Sequence, residues 1–262
     1  MKPLPFEVQV AVARAERPAW PLRVLLRAGL VLLLVWLGVI SLTWNLAAFV
    51  LKFFLRGPVA RRVGCAGIAY GYRFFWACAR ASGMMRLDAE SLDVLRNQPG
   101  GIIIAANHPS LLDALMIVAR LPRSAAIMKG ALMRNPFLGA GAGLAGYVVN
   151  DSTRTMIRTS IERLDEGCQL VVFPEGTRSP APGLIHPFSR SIALIALRAQ
   201  VPIQTVVIET DSPYVGKGWS LWKLPPIPVV FRARLGERFE PGTDPEQLSA
   251  RMEEYFREEL RP

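Results

Sequence analysis

Hydrophobic positions follow two different patterns along this chain. From Ala28 to Leu51 no charged residue interrupts 24 consecutive positions, and a helix of that length extends about 36 Å, enough to cross the hydrocarbon region of a bilayer. An apolar run this long, with no polar face, predicts a membrane helix, the alternative being a buried core helix. The run exceeds a signal-peptide core, and no small-residue cleavage site follows it before Lys52 and Arg56, so it is expected to be retained. Residues 58 to 85 then interleave Arg61, Arg62, Arg73 and Arg80 with Tyr70, Tyr72, Phe74, Phe75 and Trp76 on a helix-compatible pattern. That composition suits a helix at a membrane surface or one packed on the domain.

Beyond residue 100 the pattern changes to short apolar runs separated by helical periods. Strands are predicted at Gly101–Ala106, Ala125–Met128, Tyr147–Val149, Leu170–Phe173, Val201–Ile208 and Val229–Ala233, with helices at Leu111–Arg120, Thr153–Glu166 and Ser191–Ala199. Asp244-Pro245-Glu246 caps a final amphipathic helix that carries Leu248, Met252, Phe256 and Leu260. Such alternation predicts an α/β fold, a mainly parallel sheet flanked by helices, preceded by an N-terminal membrane-associated helical segment. Residues 1–85 form the anchoring segment in this reading and 86–262 one catalytic domain. Chemistry is then expected just past the carboxyl ends of strands.

Charge sharpens the membrane reading. The chain carries a formal net charge of +10, and residues 1 to 80 hold eleven Lys or Arg against only Glu7 and Glu16. Basic charge beside a long apolar run fits anionic membrane lipids, whereas nucleic-acid binding leaves the run unexplained. Basic residues flank the run on both sides, so the positive-inside rule gives no orientation, and a helix pair dipping into one leaflet stays open beside a spanning anchor. Cys65, Cys78 and Cys168 show no paired or metal-like spacing, which suits a reducing compartment and a cytoplasmic catalytic face.

Two segments meet the placement rule. Asn107-His108-Pro109-Ser110-Leu111-Leu112-Asp113 follows the first strand of the domain. Histidine can take a proton from an alcohol near neutral pH, and a carboxylate on its second ring nitrogen fixes the tautomer. A strand end turning into a helix brings position i+5 back to the imidazole, so Asp113 is the candidate partner. Phe173-Pro174-Glu175-Gly176-Thr177-Arg178-Ser179 follows another strand, and its glycine, guanidinium and hydroxyl suit a phosphate or polar headgroup. The alternative there is a plain turn with Glu175 and Arg178 as a surface pair. No Gly-x-Ser-x-Gly elbow marks a hydrolase. His108 and His186 are the only imidazoles and no carboxylate cluster joins them, which argues against a metal; His186 reads as structural. Gly141-Ala-Gly143-Leu-Ala-Gly146 matches a dinucleotide fingerprint in letters but lacks the preceding strand and following helix, so close helix packing or an acyl-chain groove is expected. The loop Tyr214–Leu224, with Lys217, Trp219, Trp222 and Lys223, is either a second membrane contact or lid, or a packed surface loop.

Together the two segments resemble the glycerolipid acyltransferase family that includes bacterial 1-acylglycerol-3-phosphate acyltransferases. The likeness spans roughly residues 85 to 235: a His and an Asp with four residues between them at 108 and 113, and the Phe-Pro-Glu-Gly-Thr-Arg-Ser box at 173–179. Lys129 with Asn135-Pro136-Phe137-Leu138-Gly139 is similar to the family's second region, and Val201-Pro202-Ile203 to its fourth. The resemblance implies a lysolipid acceptor and acyl-CoA or acyl carrier protein as donor, with no cofactor. It implies His108 and Asp113 as the catalytic pair, and Glu175, Gly176, Thr177, Arg178 and Lys129 as substrate-binding residues. It also implies residence at the cell inner membrane with the catalytic domain on the cytoplasmic side. One position departs: phosphatidate-forming members carry an arginine where Gly146-Tyr-Val-Val-Asn-Asp151 here runs into Ser152, with Arg154 two residues later. Lysophosphatidate is thus the leading acceptor, lyso-ornithine lipid or a glycolipid the alternative, and a non-catalytic membrane-binding protein the reading from another class.

Overall fold

The computed structural model describes residues 19–181, 183–212, 214–220 and 223–261. The charges before residue 19 and Trp222, both used above, lie outside the described residues. Seven strands, β1 (Met85–Asp88), β2 (Ile102–Ala106), β3 (Ser124–Met128), β4 (Val148–Val149), β5 (Gln169–Val172), β6 (Ile203–Thr210) and β7 (Val229–Phe239), form one sheet. Its order is β1-β7-β6-β2-β5-β3-β4. The run β6-β2-β5-β3-β4 is parallel throughout, as the alternating pattern predicts, and β7 alone turns antiparallel against β6 while pairing in parallel with β1. Sequence reading stops β7 at Ala233 and misses β1. The reason is ionic: Arg232 pairs with Asp88 of β1, and Arg234 with Glu209 and Glu259, so charged side chains replace the apolar alternation on that exposed face.

Because β2 lies in the middle of the sheet, all five of its residues are buried and its side chains divide between two cores. Ile102, Ile104 and Ala106 meet α1 (Trp20–Leu51), α2 (Gly57–Ala81), α3 (Asp113–Arg120) and α4 (Gly139–Ala145). Ile103 and Ala105 meet α5 (Thr153–Asp165), α6 (Arg190–Ala199) and α7 (Pro245–Glu259). The result is a three-layer fold in which the strands of the β6-β2-β5-β3-β4 run all end on one edge.

Helix α4 occupies the glycine-rich stretch that imitates a nucleotide fingerprint, and close packing explains it. Trp44 of α1 is held between Gly67 of α2 and Gly141 of α4; a Cβ on Gly67 would overlap the indole, and one on Gly141 would stand 2.8 Å from its Nε1. Asn45, buried inside the apolar run, donates through Nδ2 to the carbonyls of Phe137 (2.5 Å) and Ser41 (2.9 Å) and accepts from the Gly141 N–H (2.9 Å). The carboxyl-terminal third of α1 is thereby fastened to the domain. Elsewhere α1 turns large apolar side chains outward, Leu25 at 67%, Leu32 at 65% and Leu46 at 68% exposure. Among the described residues it is the one helix long and apolar enough to cross a membrane, a composition suited to membrane association.

Replacing Asn45 with leucine strips partners from the Gly141 N–H and the Phe137 carbonyl inside a dry interface, at about 1–3 kcal/mol for each orphaned group. In detergent, Asn45→Leu should melt roughly 5–10 °C below the wild type; an unchanged melting temperature would show that these bonds do not hold α1 to α4.

Candidate active site

At the carboxyl end of β2 the chain is turned by side-chain hydrogen bonds rather than by the sheet. Asn107 grips β6, donating through Nδ2 to the Ile208 carbonyl (2.8 Å) and accepting from its N–H (2.7 Å). Ser110 then receives the Leu112 N–H on its hydroxyl, and α3 begins at Asp113. This local path carries Asp113 back to His108. Asp113 Oδ2 lies 2.8 Å from His108 Nδ1 and accepts the Ser110 N–H at 2.7 Å. With an ionised carboxylate there, Nδ1 carries the ring proton, and Nε2 is left with its lone pair and no partner among the described residues. Asp113 is wholly buried; burial pushes its carboxyl up to about 6, against the lowering effects of His108 and the Ser110 amide. The His108 ring, 18% exposed, stacks on Phe173 with centroids 4.1 Å apart and planes 20° from parallel.

Phe173 opens the second segment, at the carboxyl end of β5, the strand beside β2. Glu175 was expected to face substrate or to pair with Arg178, and does neither. Its carboxylate turns inward, 8% exposed. Oε1 accepts the His108 N–H (3.1 Å) and the Ser179 hydroxyl (2.7 Å), and Oε2 accepts the His186 N–H (2.9 Å). Ser179 N–H donates in turn to the His108 carbonyl (2.8 Å). The histidine backbone is thus bracketed by the neighbouring loop while its ring is set by Asp113 and Phe173. Gly176, at φ +65°, makes the turn that takes Thr177 and Arg178 outward, a conformation that would strain a side-chain-bearing residue.

Arg178 reaches a third loop, following β6. Its Nη1 donates to the carbonyls of Val215 (2.9 Å) and Gly216 (3.0 Å), and Val215 also accepts the Leu111 N–H (3.1 Å). Val215 sits at φ +51°, an unfavourable backbone for a β-branched residue, so this strap across both segments is held under strain. Nothing in the sequence marks Val215 as special. Trp219, in the loop read above as either a membrane contact or lid or a packed surface loop, packs partly buried against Tyr214 with Lys223 over its ring. Nε and Nη2 of Arg178 keep no partner among the described residues.

His108, Asp113, Glu175 and Arg178 are therefore brought together through one bonded set of loops. Lys129 is not part of it: it follows β3 on the same edge, two strands from β2, with its side chain exposed. Ser152, at the position of the absent arginine, is the exposed N-cap of α5, and neighbouring Asp151 lies against the Gly130 backbone. Phe173 and Ser179 belong to the quoted box, yet neither signalled its contact with His108. Backbone N–H groups at 110–112 are all engaged, as is that of Gly176, whereas those of Thr177 and Arg178 have no partner among the described residues. Among the described residues no three His, Cys, Asp or Glu side chains come together as a metal site.

Residues 86–209 match the Acyltransferase family. The chain is 32% identical over 115 residues to a 1-acyl-sn-glycerol-3-phosphate acyltransferase of Helicobacter pylori, covering 42% of this chain and 48% of that one. It is 33% identical over 122 residues to 1-acyl-sn-glycerol-3-phosphate acyltransferase alpha of Homo sapiens, covering 44% and 43%. The chain spans about half the length of the curated relatives it matches. In fold it resembles the crystal structure of the 1-acyl-sn-glycerophosphate acyltransferase PlsC from Thermotoga maritima, with a TM-score of 0.64 and 24% identity over 88% of this chain and 94% of the other.

If Glu175 fastens the loops as described, Glu175→Ala should lower the unfolding free energy by about 3 kcal/mol, since it strips the acceptor from the His186 N–H and the Ser179 hydroxyl and leaves the His108 N–H only Ser179 Oγ at 3.3 Å, with Glu175→Gln between it and wild type. Exposed Thr177→Ala should stay within about 0.5 kcal/mol. Chemical denaturation reads all three, and equal midpoints would remove Glu175 from this role.

Proposed function

We propose that the chain, whose residues 86–209 match the Acyltransferase family, moves a fatty acyl group from a thioester, acyl-CoA or acyl carrier protein, onto a lysolipid hydroxyl. One observation carries the reading. His108 Nδ1 is tied to buried Asp113, and among the described residues no hydroxyl or thiol is hydrogen-bonded to Nε2. The general base therefore awaits an alcohol supplied by the substrate. Nε2 takes the acceptor's proton as its oxygen bonds to the thioester carbonyl carbon; the tetrahedral species collapses, the C–S bond breaks, and the proton returns to the departing thiolate. Asp113 keeps the tautomer and balances the imidazolium. The unpartnered N–H groups of Thr177 and Arg178 suit the oxyanion better than the engaged amides after Pro109. Glu175 acts as a positioning residue, with Gly176 turning the loop.

For the acceptor, the unengaged Nε and Nη2 edge of Arg178 offers a fork for phosphate, with Lys129 as a second cation, and 1-acylglycerol-3-phosphate giving phosphatidate leads. The second reading rests on Ser152 and Asp151, which replace a cation with a hydroxyl and a carboxylate on the same edge and favour lyso-ornithine lipid or a glycolipid. A non-catalytic membrane-binding role leaves the buried His108–Asp113 pair unused. The reading puts the protein on the cytoplasmic side of a cell inner membrane, with residues 1–85 as anchor, 86–262 as catalytic domain, anionic lipids as its surface, and no nucleic acid; the free cysteines agree with a reducing compartment.

His108→Ala should abolish turnover, and more than a few per cent of residual activity would sink the general base. Asp113→Asn should lower kcat by about 10³–10⁴-fold. Wild-type activity should fall as pH drops through about 6, where Asp113 takes up its proton. Stability moves the other way. Its folded pKa lies above the unfolded value of 3.8, so the folded state holds the proton more tightly and stability declines as pH rises from about 4 to 6. Asp113→Asn should remove that slope. Labelled acyl-CoA and acyl carrier protein thioesters, incubated with lysophosphatidate, lyso-ornithine lipid and glycolipid acceptors and read by product mass, test donor and acceptor together; no acylated product from any pair would refute acyl transfer.

A further inference from the structure

The turn between α1 and α2 carries chemistry that acyl transfer does not use. Lys52, Arg56 and Arg61 line one side of a cavity of about 490 Å³, and Met133, Gly139 and Gly143 line part of the other; no acidic residue lines it. That volume is in the range of small-molecule sites. The three cations are poorly neutralised. Arg56 has no acidic partner among the described residues, and Lys52 holds its ammonium 4.2 Å from the Phe49 ring centroid. Arg61 pairs with Glu166 at one end but keeps its buried Nε without a partner.

The surroundings are apolar and outward-facing. Phe53 and Phe54, inside the basic turn, are 63% and 78% exposed, and Val59 just beyond is 56% exposed. Aromatic rings interleaved with lysine and arginine at the tip of an apolar hairpin suit the boundary between headgroups and acyl chains. On the α4 wall Gly143 leaves a slot: a Cβ there would meet only Met133 Cε at 3.6 Å. A free phosphate would satisfy the cations and leave this slot wet, whereas a lipid fills both parts.

We propose that the cavity seats one anionic phospholipid of the host bilayer, its phosphate against Lys52 and Arg56 and the start of an acyl chain along the glycine face of α4, so that the lipid clamps the α1–α2 hairpin to the domain. The site is separate from the reacting groups, since neither His108 nor the 173–179 box lines it. It rests on the membrane contact of the proposed function and not on acyl transfer, so lipid retention and turnover can fail independently.

Native mass spectrometry of the full chain, released from micelles containing phosphatidylglycerol or phosphatidylcholine, tests the seat. Wild type should retain one phosphatidylglycerol per chain and no phosphatidylcholine. The Lys52→Gln/Arg56→Gln double variant should bind it about 30-fold more weakly, the effect of losing two interfacial cations. Arg198→Gln, an exposed cation on α6, should match wild type. Gly143→Leu keeps every charge and fills the slot; it should lose the lipid while melting as wild type in lipid-free detergent, with Ala140→Leu as a second filler should Gly143→Leu not fold. Retention by a folded filler variant would reduce the effect to diffuse surface charge and overturn the seat. A rise in melting temperature with inorganic phosphate equal to that with phosphatidylglycerol would overturn it in favour of a phosphate site.

Discussion

A carboxylate buried beneath the surface of a loop must be met by donors, and here the donors belong to different segments of the chain. Glu175 accepts from the backbone of His108, the hydroxyl of Ser179 and the backbone of His186. Parallel pairing of β2 and β5 only brings the two loops side by side. It is this carboxylate that converts adjacency into a fixed distance, because it gathers donors from three points of the chain onto one largely buried group. The imidazole then needs only Asp113 and Phe173 to set its ring, and the geometry of the His108–Asp113 pair rests on a scaffold that the pair does not have to hold by itself.

Asp113 shows what such a scaffold permits. A carboxylate at zero exposure is poorly solvated, and its pKa rises toward about 6. Staying ionised near neutral pH depends on the Ser110 amide and on the imidazole that it orients. The histidine is thus held by a group that depends on it in return. The strained carbonyl of Val215, shared by Leu111 and Arg178, closes the same assembly from a third strand. Three strand ends meet on one edge because the central strands are parallel, and hydrogen bonding between their loops does the rest.

On the opposite flank the problem is solved by size rather than by charge. Trp44 lies between Gly67 and Gly141 because only glycines let three helices approach an indole so closely. Asn45 beside it fixes α1 against α4 inside an otherwise apolar run. The helix that turns apolar side chains outward along much of its length is therefore also a packed element of the domain, and its basic turn is held near the α4 wall.

Much of this was legible from residue order. The apolar run over 28–51, the short apolar runs of the strands and the turn residues after β2 and β5 are local signals, and they determined the helical segment, the mainly parallel sheet and the His108–Asp113 spacing. What they could not supply was anything set by contacts distant in sequence. β1 and the far half of β7 were missed because ion pairs across strands replace the apolar pattern there. Glu175 was read as facing outward, since a carboxylate beside glycine and arginine looks the same whether its donors are solvent or a backbone 67 residues away. Val215 carried no sign at all. The residues proposed for chemistry sit at strand ends, where local rules operate; those that hold them there act through hydrogen bonds between segments, and only the tertiary structure decides which segments meet.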